Sequence, residues 1–198
     1  MNPLKSITGT IVTGVVISAI VMAIYSDGVT TSTQWYVWIH VLAGVAWIGL
    51  LYYFNFVQVP GVAKALSEAD SGGPGPAAIN KYLAPTALLW FRWAAVVTWL
   101  SGAALLAKYG ILGKAFTFQS GAEVIGIGAW LGTIMLINVW VFIWPNQKKI
   151  LGLDGKNHEA DVIAKAKSVA LMASRTNSAL SIPMLLSMTA YAHGGYPF

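Results

Sequence analysis

The 198 residues are 57% hydrophobic and 10% charged, whereas average soluble proteins are about 25% charged. The formal net charge of +5 lies on a chain of long apolar runs, so it reports membrane orientation rather than a nucleic-acid-binding surface. The absence of cysteine excludes disulfides, thiolate metal sites and the C-x-x-C-H attachment of a c-type haem.

Five apolar stretches follow one another, each close to the ~20 residues that cross a bilayer. They are residues 7–25, 34–58, 83–107, 122–144 and about 174–192. They predict an all-α integral membrane protein with five transmembrane helices in a single domain, residues 1–198. Residues 1–33 would form an N-terminal anchor helix, and residues 34–198 a four-helix membrane bundle.

Two features shape the end of the chain. Residues 157–175 mix polar and apolar side chains at helical spacing, which predicts an amphipathic helix that runs into the fifth stretch. Pro183 lies inside that stretch, where we expect it to kink the helix.

Basic residues indicate the orientation, because cytoplasmic loops of membrane proteins are enriched in Lys and Arg. With a cytoplasmic N-terminus, the basic residues at the inner side are Lys5, Lys64, Lys81, Lys148, Lys149, Lys156, Lys165, Lys167 and Arg175. Only Lys108 and Lys114 lie outside. The sequence therefore predicts that the C-terminus is on the outer side.

A weak internal repeat links the second and fourth stretches. Trp47 lies in the run A-W-I-G with Asn55 eight residues later, and Trp130 lies in A-W-L-G with Asn138 eight residues later. The offset is 83 residues. It indicates that helices two to five are two pseudo-repeated hairpins related by an axis along the membrane normal. The alternative is coincidence in an apolar chain that is rich in tryptophan.

The same offset takes Arg92 to Arg175, so Asn55, Arg92, Asn138 and Arg175 form a predicted inner polar layer. One interpretation is a structural clamp in which asparagine carbonyls accept hydrogen bonds from the guanidinium groups. The other is an anion site, because no acidic partner for Arg92 is present in the helices.

His40, Glu123 and His193 form a predicted outer polar layer. The two histidines lie on antiparallel helices in the same leaflet and could be the axial ligands of a b-type haem, since imidazole is a standard ligand of haem iron. Glu123 takes the place of His40 in the second repeat and could relay a proton. Alternatively, His40 is hydrogen-bonded to a neighbouring helix and His193 is a solvated residue.

Two neighbours of His40 complete the predicted cofactor site. Gly44, one turn after His40, would let a flat ring approach the backbone. Trp47 would supply a flat apolar wall. His158 lies in a polar segment and is expected to be solvated. No residue is assigned a catalytic role.

The long motifs resemble those of a known family. They are the run from His40 to Pro60, the W-F-R-W around Arg92, and N-V-W-V-F-I-W-P-N-Q-K-K, which begins at Asn138. Over about residues 35–197 the chain is similar to the membrane domain of the bacterial cytochrome-c-linked urate oxidase (urate hydroxylase) family. The resemblance implies a bacterial inner membrane, with the N-terminus cytoplasmic and the C-terminus periplasmic, and redox chemistry with electrons leaving to cytochrome c.

Full-length members of that family carry a C-terminal cytochrome c domain, which these 198 cysteine-free residues do not contain. We therefore expect a separate cytochrome c or another redox carrier on the outer face.

These observations predict a membrane-embedded electron-transfer protein with haem b, or a redox subunit of a larger membrane complex. One alternative is a cofactor-free accessory subunit that packs against a respiratory or oxidase complex. Another is a stand-alone oxidase of urate or a similar small anion, with the arginine layer at the substrate. The expected partners are the lipid bilayer and the redox carrier, with no nucleic acid.

Overall fold

The computed structural model of the chain describes residues 2–25 and 32–196. Within these two ranges the chain forms helices joined by turns, and there is no strand. The chain divides into two compact units, residues 1–35 and 36–198.

The helix of the first unit, α1, spans Ile7–Tyr25 and coincides with the first predicted stretch. It has a mean hydropathy of 2.3, and none of its residues is buried within the protein. A helix of this length that is apolar on all sides is typical of a membrane span.

Seven further α-helices follow, together with three short π-helical segments that are named here π1, π2 and π3. The α-helices are α2 (Ser32–Tyr53), α3 (Val59–Ser67), α4 (Ala84–Lys108), α5 (Leu112–Phe116), α6 (Glu123–Asn138), α7 (Trp144–Ile150) and α8 (Ala160–Ala192). The π segments are π1 (Phe54–Gln58), π2 (Ile79–Leu83) and π3 (Val139–Ile143). They join α2 to α3, precede α4, and join α6 to α7, respectively.

Each π segment ends two residues before a proline, namely Pro60, Pro85 or Pro145. Proline lacks an N–H, and its ring clashes with the carbonyl four residues earlier in a regular α-helix. A wider turn before the proline relieves that clash without ending the helix. The three prolines therefore account for where the helices depart from α geometry.

The core of the second unit lies between α2, α4, α6 and α8. Its most buried apolar side chains are Trp47, Leu51, Phe91, Met135 and Val139, each at most 1% exposed. They pack with Met184 of α8 in one cluster. A second cluster, around the buried Ala115, packs α5 against α4 and α6.

α8 is a continuous helix of 33 residues. The predicted amphipathic segment therefore does run into the fifth stretch, and Pro183 lies within an unbroken helix. Three of its seven buried residues are polar: Asn177, Ser181 and Ser187, each at most 1% exposed. Ser181 Oγ is 2.9 Å from Tyr52 Oη, which ties α8 to α2.

Within the described part of the chain, four helices are long and apolar enough to cross a membrane: Ile7–Tyr25, Ser32–Ser67, Ile79–Lys108 and Glu123–Ile150. α8, the fifth predicted span, is not among these four, because polar residues such as Arg175, Asn177 and Ser181 lower its mean hydropathy. Large apolar side chains such as Trp90 and Trp93 are exposed on the helices, as a lipid-facing surface requires.

Candidate functional site

His40 lies on α2 and is held by the backbone of α4. Its Nδ1 is 2.8 Å from the carbonyl oxygen of Thr98 and 3.5 Å from Ser101 Oγ. Because a carbonyl only accepts, Nδ1 carries the proton, and in the neutral imidazole Nε2 then keeps its lone pair. Within residues 2–25 and 32–196, Nε2 makes no hydrogen bond. The imidazole is thus oriented through one nitrogen, while the other is available to a ligand.

Gly102 makes room for this imidazole. A Cβ at Gly102 would lie 2.8 Å from His40 Cε1 and 3.1 Å from His40 Nδ1, closer than van der Waals contact allows. Gly44, which the sequence suggested for a flat ring, instead faces α4: a Cβ there would lie 3.7 Å from the Thr98 methyl group. The glycine that the histidine requires is therefore on the opposite helix.

His40 borders an apolar cavity of about 80 Å³, which is named here the His40 cavity. Trp47 also borders it, together with Met184 and Met188 of α8. Trp47 is 1% exposed, and its buried Nε1 has no hydrogen-bond partner in the described part of the chain. The cavity therefore has a free acceptor in His40 and a free donor in Trp47.

Small residues of α6 keep the His40 cavity open on the side of α8. A Cβ at Gly128 would lie 3.3 Å from Met188 Sδ, and one at Gly132 would lie 3.7 Å from Met184 Sδ. Phe116 of α5 also borders the cavity, and its carbonyl oxygen accepts a 3.1 Å hydrogen bond from Trp130 Nε1.

The donor chemistry of the His40 cavity fits a haem ligand set. A neutral imidazole fixed through Nδ1 is the usual arrangement of a metal-binding histidine, and the thioethers of Met184 and Met188 are the partner type in His/Met haem proteins. The cavity of about 80 Å³ is, however, smaller than the ~150 Å³ that holds one benzene. A porphyrin ring would therefore require the helices to separate around it.

The other two residues of the predicted outer layer do not border the His40 cavity. His193 is exposed just after α8 ends and borders a separate surface cavity with Thr189 and Tyr196. It follows Met188 by five residues, a helical rise of about 7.5 Å. Glu123 is the exposed first residue of α6, where its charge stabilises the positive end of the helix dipole.

The asparagines of the predicted inner layer bind α8. Asn55 Nδ2 donates to Ser174 Oγ at 2.8 Å, and Asn138 Nδ2 donates to the carbonyl of Ala173 and to Asn177 Oδ1, both at 2.8 Å. Asn55 Oδ1 is buried and has no partner in the described residues. The predicted clamp, in which asparagine carbonyls accept from guanidinium groups, is therefore wrong for Asn55. The groups that accept hydrogen bonds from Asn55 and Asn138 belong to α8 rather than to the arginines.

The two arginines differ in environment. Arg92 is 8% exposed, and its Cζ lies 3.4 Å from the ring centroid of Trp144 and 5.9 Å from that of Trp140. A desolvated cation–π contact of this kind contributes about 2 kcal/mol. Nε and Nη1 of Arg92 make no hydrogen bond to the described residues, and Arg175 is exposed. The sequence repeat therefore does not give the two arginines matching surroundings.

A larger cavity of about 260 Å³ lies at the π-helical end of the bundle. It is named here the amide pocket, after the carboxamides of Gln58, Asn80 and Gln147 that border it. π1 and π2 carry Gln58 and Asn80, and Gln147 lies in α7 just after π3. The sequence motifs considered above did not indicate this pocket. The sequence feature that could have indicated it is the presence of Pro60, Pro85 and Pro145 within apolar stretches, since a proline there favours a wider helical turn.

Within residues 2–25 and 32–196, no group of three or more His, Asp or Glu side chains is arranged to hold a metal ion.

His158, expected to be solvated, instead pairs with Asp154, with Nε2 and Oδ2 2.7 Å apart. This loop contact holds the pKa of Asp154 below its usual range, because the hydrogen bond from His158 favours the carboxylate.

Two stretches of the chain, residues 29–118 and 109–197, match the family model described as urate oxidase, N-terminal. No curated protein and no solved structure matches the chain. The family resemblance inferred from the long motifs is thereby confirmed.

Proposed function

Because the chain belongs to the urate oxidase N-terminal family, we propose that it is a membrane-embedded redox protein in which His40 holds a b-type haem. The observation that carries this proposal is the state of the imidazole. Nδ1 is engaged by the Thr98 carbonyl at 2.8 Å, and Nε2 is free on a residue that borders an apolar cavity.

The Thr98 carbonyl has two effects on His40. It fixes the tautomer that leaves a lone pair on Nε2, and it restrains rotation of the ring. A carbonyl acceptor on Nδ1–H also makes the imidazole a stronger electron donor toward a metal. These are the properties expected of an axial ligand, whereas a histidine that only joins two helices needs no free second nitrogen.

The thioether sulfur of Met184 or Met188 is the proposed second ligand, in place of the His193 suggested by the sequence. Both side chains border the His40 cavity, and His193 does not. A bound haem would supply one-electron transfer, and methionine ligation raises its reduction potential relative to bis-histidine ligation.

The charge distribution supports an orientation of the chain in the membrane. Nine of the basic residues cluster on one side of the predicted spans and two on the other, so we place the N-terminus in the cytoplasm of a bacterial cell. His40 then lies near the outer face of the inner membrane. A separate cytochrome c or another carrier on that face would accept the electrons, either directly or within a larger membrane complex.

The test is a reduced-minus-oxidised absorption spectrum of the purified full chain in detergent. We expect a Soret shift and an α-band of the b type, both lost in His40→Leu and retained in the loop control His158→Leu. A wild-type protein without a chromophore would contradict the proposal and favour a cofactor-free accessory subunit. A spectrum that survives in His40→Leu would show that the haem is held elsewhere.

A further inference from the structure

The amide pocket lies at one end of the apolar helices. Asn80 is the second residue of the apolar segment Ile79–Lys108, Ile150 is the last residue of the segment Glu123–Ile150, and both border the pocket. These segments have 30 and 28 residues, whereas about 20 residues cross the hydrocarbon core of a bilayer. Their ends therefore extend into the layer that lipid headgroups occupy, and the pocket lies in that layer.

All three π segments contribute to the lining of the pocket. π1 contributes Phe54 and Gln58, π2 contributes Asn80, and π3 contributes Ile143. π-helical turns within α-helices occur frequently at functional sites. Three such turns around one cavity of about 260 Å³ favour a binding site over a simple gap in the packing.

The carboxamides of Gln58, Asn80 and Gln147 make no side-chain hydrogen bond within residues 2–25 and 32–196, and Oε1 of Gln58 is fully buried. A buried acceptor without a partner is unfavourable unless a ligand satisfies it. Gln58 Oε1 therefore requires a ligand with an N–H or O–H donor, while the amide N–H groups of the pocket can donate to an acceptor.

The charge of the lining favours an anion. Lys167 is the one charged residue that borders the pocket among those described, and no carboxylate does. The same end of the bundle carries Lys81 in π2 and Lys148 and Lys149 in the last turn of α7. Basic residues at the ends of membrane helices attract anionic lipid headgroups.

The remaining lining is mainly apolar and reaches the surface along α3. Val59, Val62 and Leu66 of this helix all border the pocket, and Leu66 is 53% exposed. A hydrocarbon chain that leaves the pocket beside α3 therefore stays in contact with apolar side chains. The pocket thus combines a cation, unpaired amides and an apolar exit, which are complementary to the three parts of one lipid.

We propose that the amide pocket binds an anionic glycerophospholipid with hydroxyl groups in its headgroup, of the phosphatidylglycerol type. The phosphodiester pairs with Lys167 and accepts hydrogen bonds from amide N–H groups, and a headgroup hydroxyl donates to Gln58 Oε1. The inference does not depend on haem at His40, because the two cavities have no lining residue in common.

The experiment is a lipid titration of the purified full chain in detergent, followed by native mass spectrometry. The probes are phosphatidylglycerol, phosphatidylmethanol and phosphatidylcholine with identical acyl chains. Phosphatidylmethanol has the same charge as phosphatidylglycerol but no hydroxyl donor, and phosphatidylcholine has neither the donor nor the net charge. We expect phosphatidylglycerol to bind about threefold to tenfold more tightly than phosphatidylmethanol, the factor for one hydrogen bond. Phosphatidylmethanol should bind about fivefold more tightly than phosphatidylcholine, the factor for one lysine.

Two variants separate the hydrogen bond from the charge. Gln58→Leu should abolish the difference between phosphatidylglycerol and phosphatidylmethanol and keep the preference for an anion. Lys167→Gln should do the reverse. Gln119→Leu and Lys165→Gln, at exposed residues outside the pocket, should bind all three lipids like the wild type, and so should His40→Leu.

Equal affinity of the wild-type protein for phosphatidylglycerol and phosphatidylmethanol would overturn the proposal, whatever the variants do. Equal losses of affinity in Lys167→Gln and Lys165→Gln would also overturn it, because they would show a diffuse basic surface instead of one pocket. Loss of the absorption spectrum in His40→Leu with lipid binding retained separates this result from the test of the haem.

Discussion

The His40 cavity and the amide pocket are made by the same bundle in different ways. At the His40 cavity the helices are regular, small residues bring them close together, and the volume is about 80 Å³. At the amide pocket, prolines force π turns, the helices widen, and the volume is about 260 Å³ with amide groups in the wall. Glycine in a straight helix here allows close packing around one polar ring, whereas proline opens a space that several polar side chains can enter.

The largest expected effect comes from adding a single methyl group beside His40, which changes the His40 cavity and leaves the other cavity intact. Gly102→Ala places a Cβ against the His40 imidazole and should displace the ring from the Thr98 carbonyl. Loss of such an outer-shell contact typically weakens metal binding about 10–100-fold, so we expect haem affinity to fall by that factor. Haem titration of the apoprotein measures it.

Gly49→Ala is the matched control for that change, because a Cβ at Gly49 meets nothing within 4 Å. It should leave haem affinity unchanged, and it should not destabilise α2, since alanine is the better helix former. Equal haem affinity in the Gly102→Ala and wild-type proteins would show that the imidazole is not held as described.

The next effect concerns the polar layer between the two cavities. Asn177 accepts from Asn138 Nδ2 and donates to the Met135 carbonyl at 3.0 Å. Asn177→Ala should therefore lower the free energy of unfolding by about 1–2 kcal/mol, the range for interhelical hydrogen bonds in membrane proteins. Thermal unfolding in detergent should show it, with the loop variant Asn157→Ala unchanged. A stability like that of the wild type would mean that the layer does not join α6 and α8 energetically.

The helices themselves could largely be predicted from the sequence. α1 has the predicted bounds, because a long apolar run is a local signal. The residues that share the cavity with His40 were not predictable in the same way. Whether Met188 or His193 meets His40 depends on helix register and on where α8 ends. The amides of the pocket lie near helix ends, where polar residues are ordinary.

The smallest effect lies outside both cavities, in the loop between α7 and α8. Since the pKa of Asp154 is lowered by His158, the carboxylate stabilises the fold above the ordinary Asp pKa, and this stabilisation is lost as the pH falls through the lowered value. Asp154→Asn should be slightly less stable than the wild type at neutral pH, and the difference should shrink on acidification. Unfolding curves between about pH 7 and pH 3 measure it, with Asp70→Asn expected to show no such trend.

The haem content per chain tests the central claim most directly. Purified wild-type protein and the His193→Leu variant should each contain close to one b haem per chain by the pyridine haemochrome assay, and His40→Leu should contain none. No haem in the wild type, or equal haem in His40→Leu, would contradict the assignment of His40 as the ligand. Loss of haem in His193→Leu would contradict the assignment of a methionine, rather than His193, as its partner.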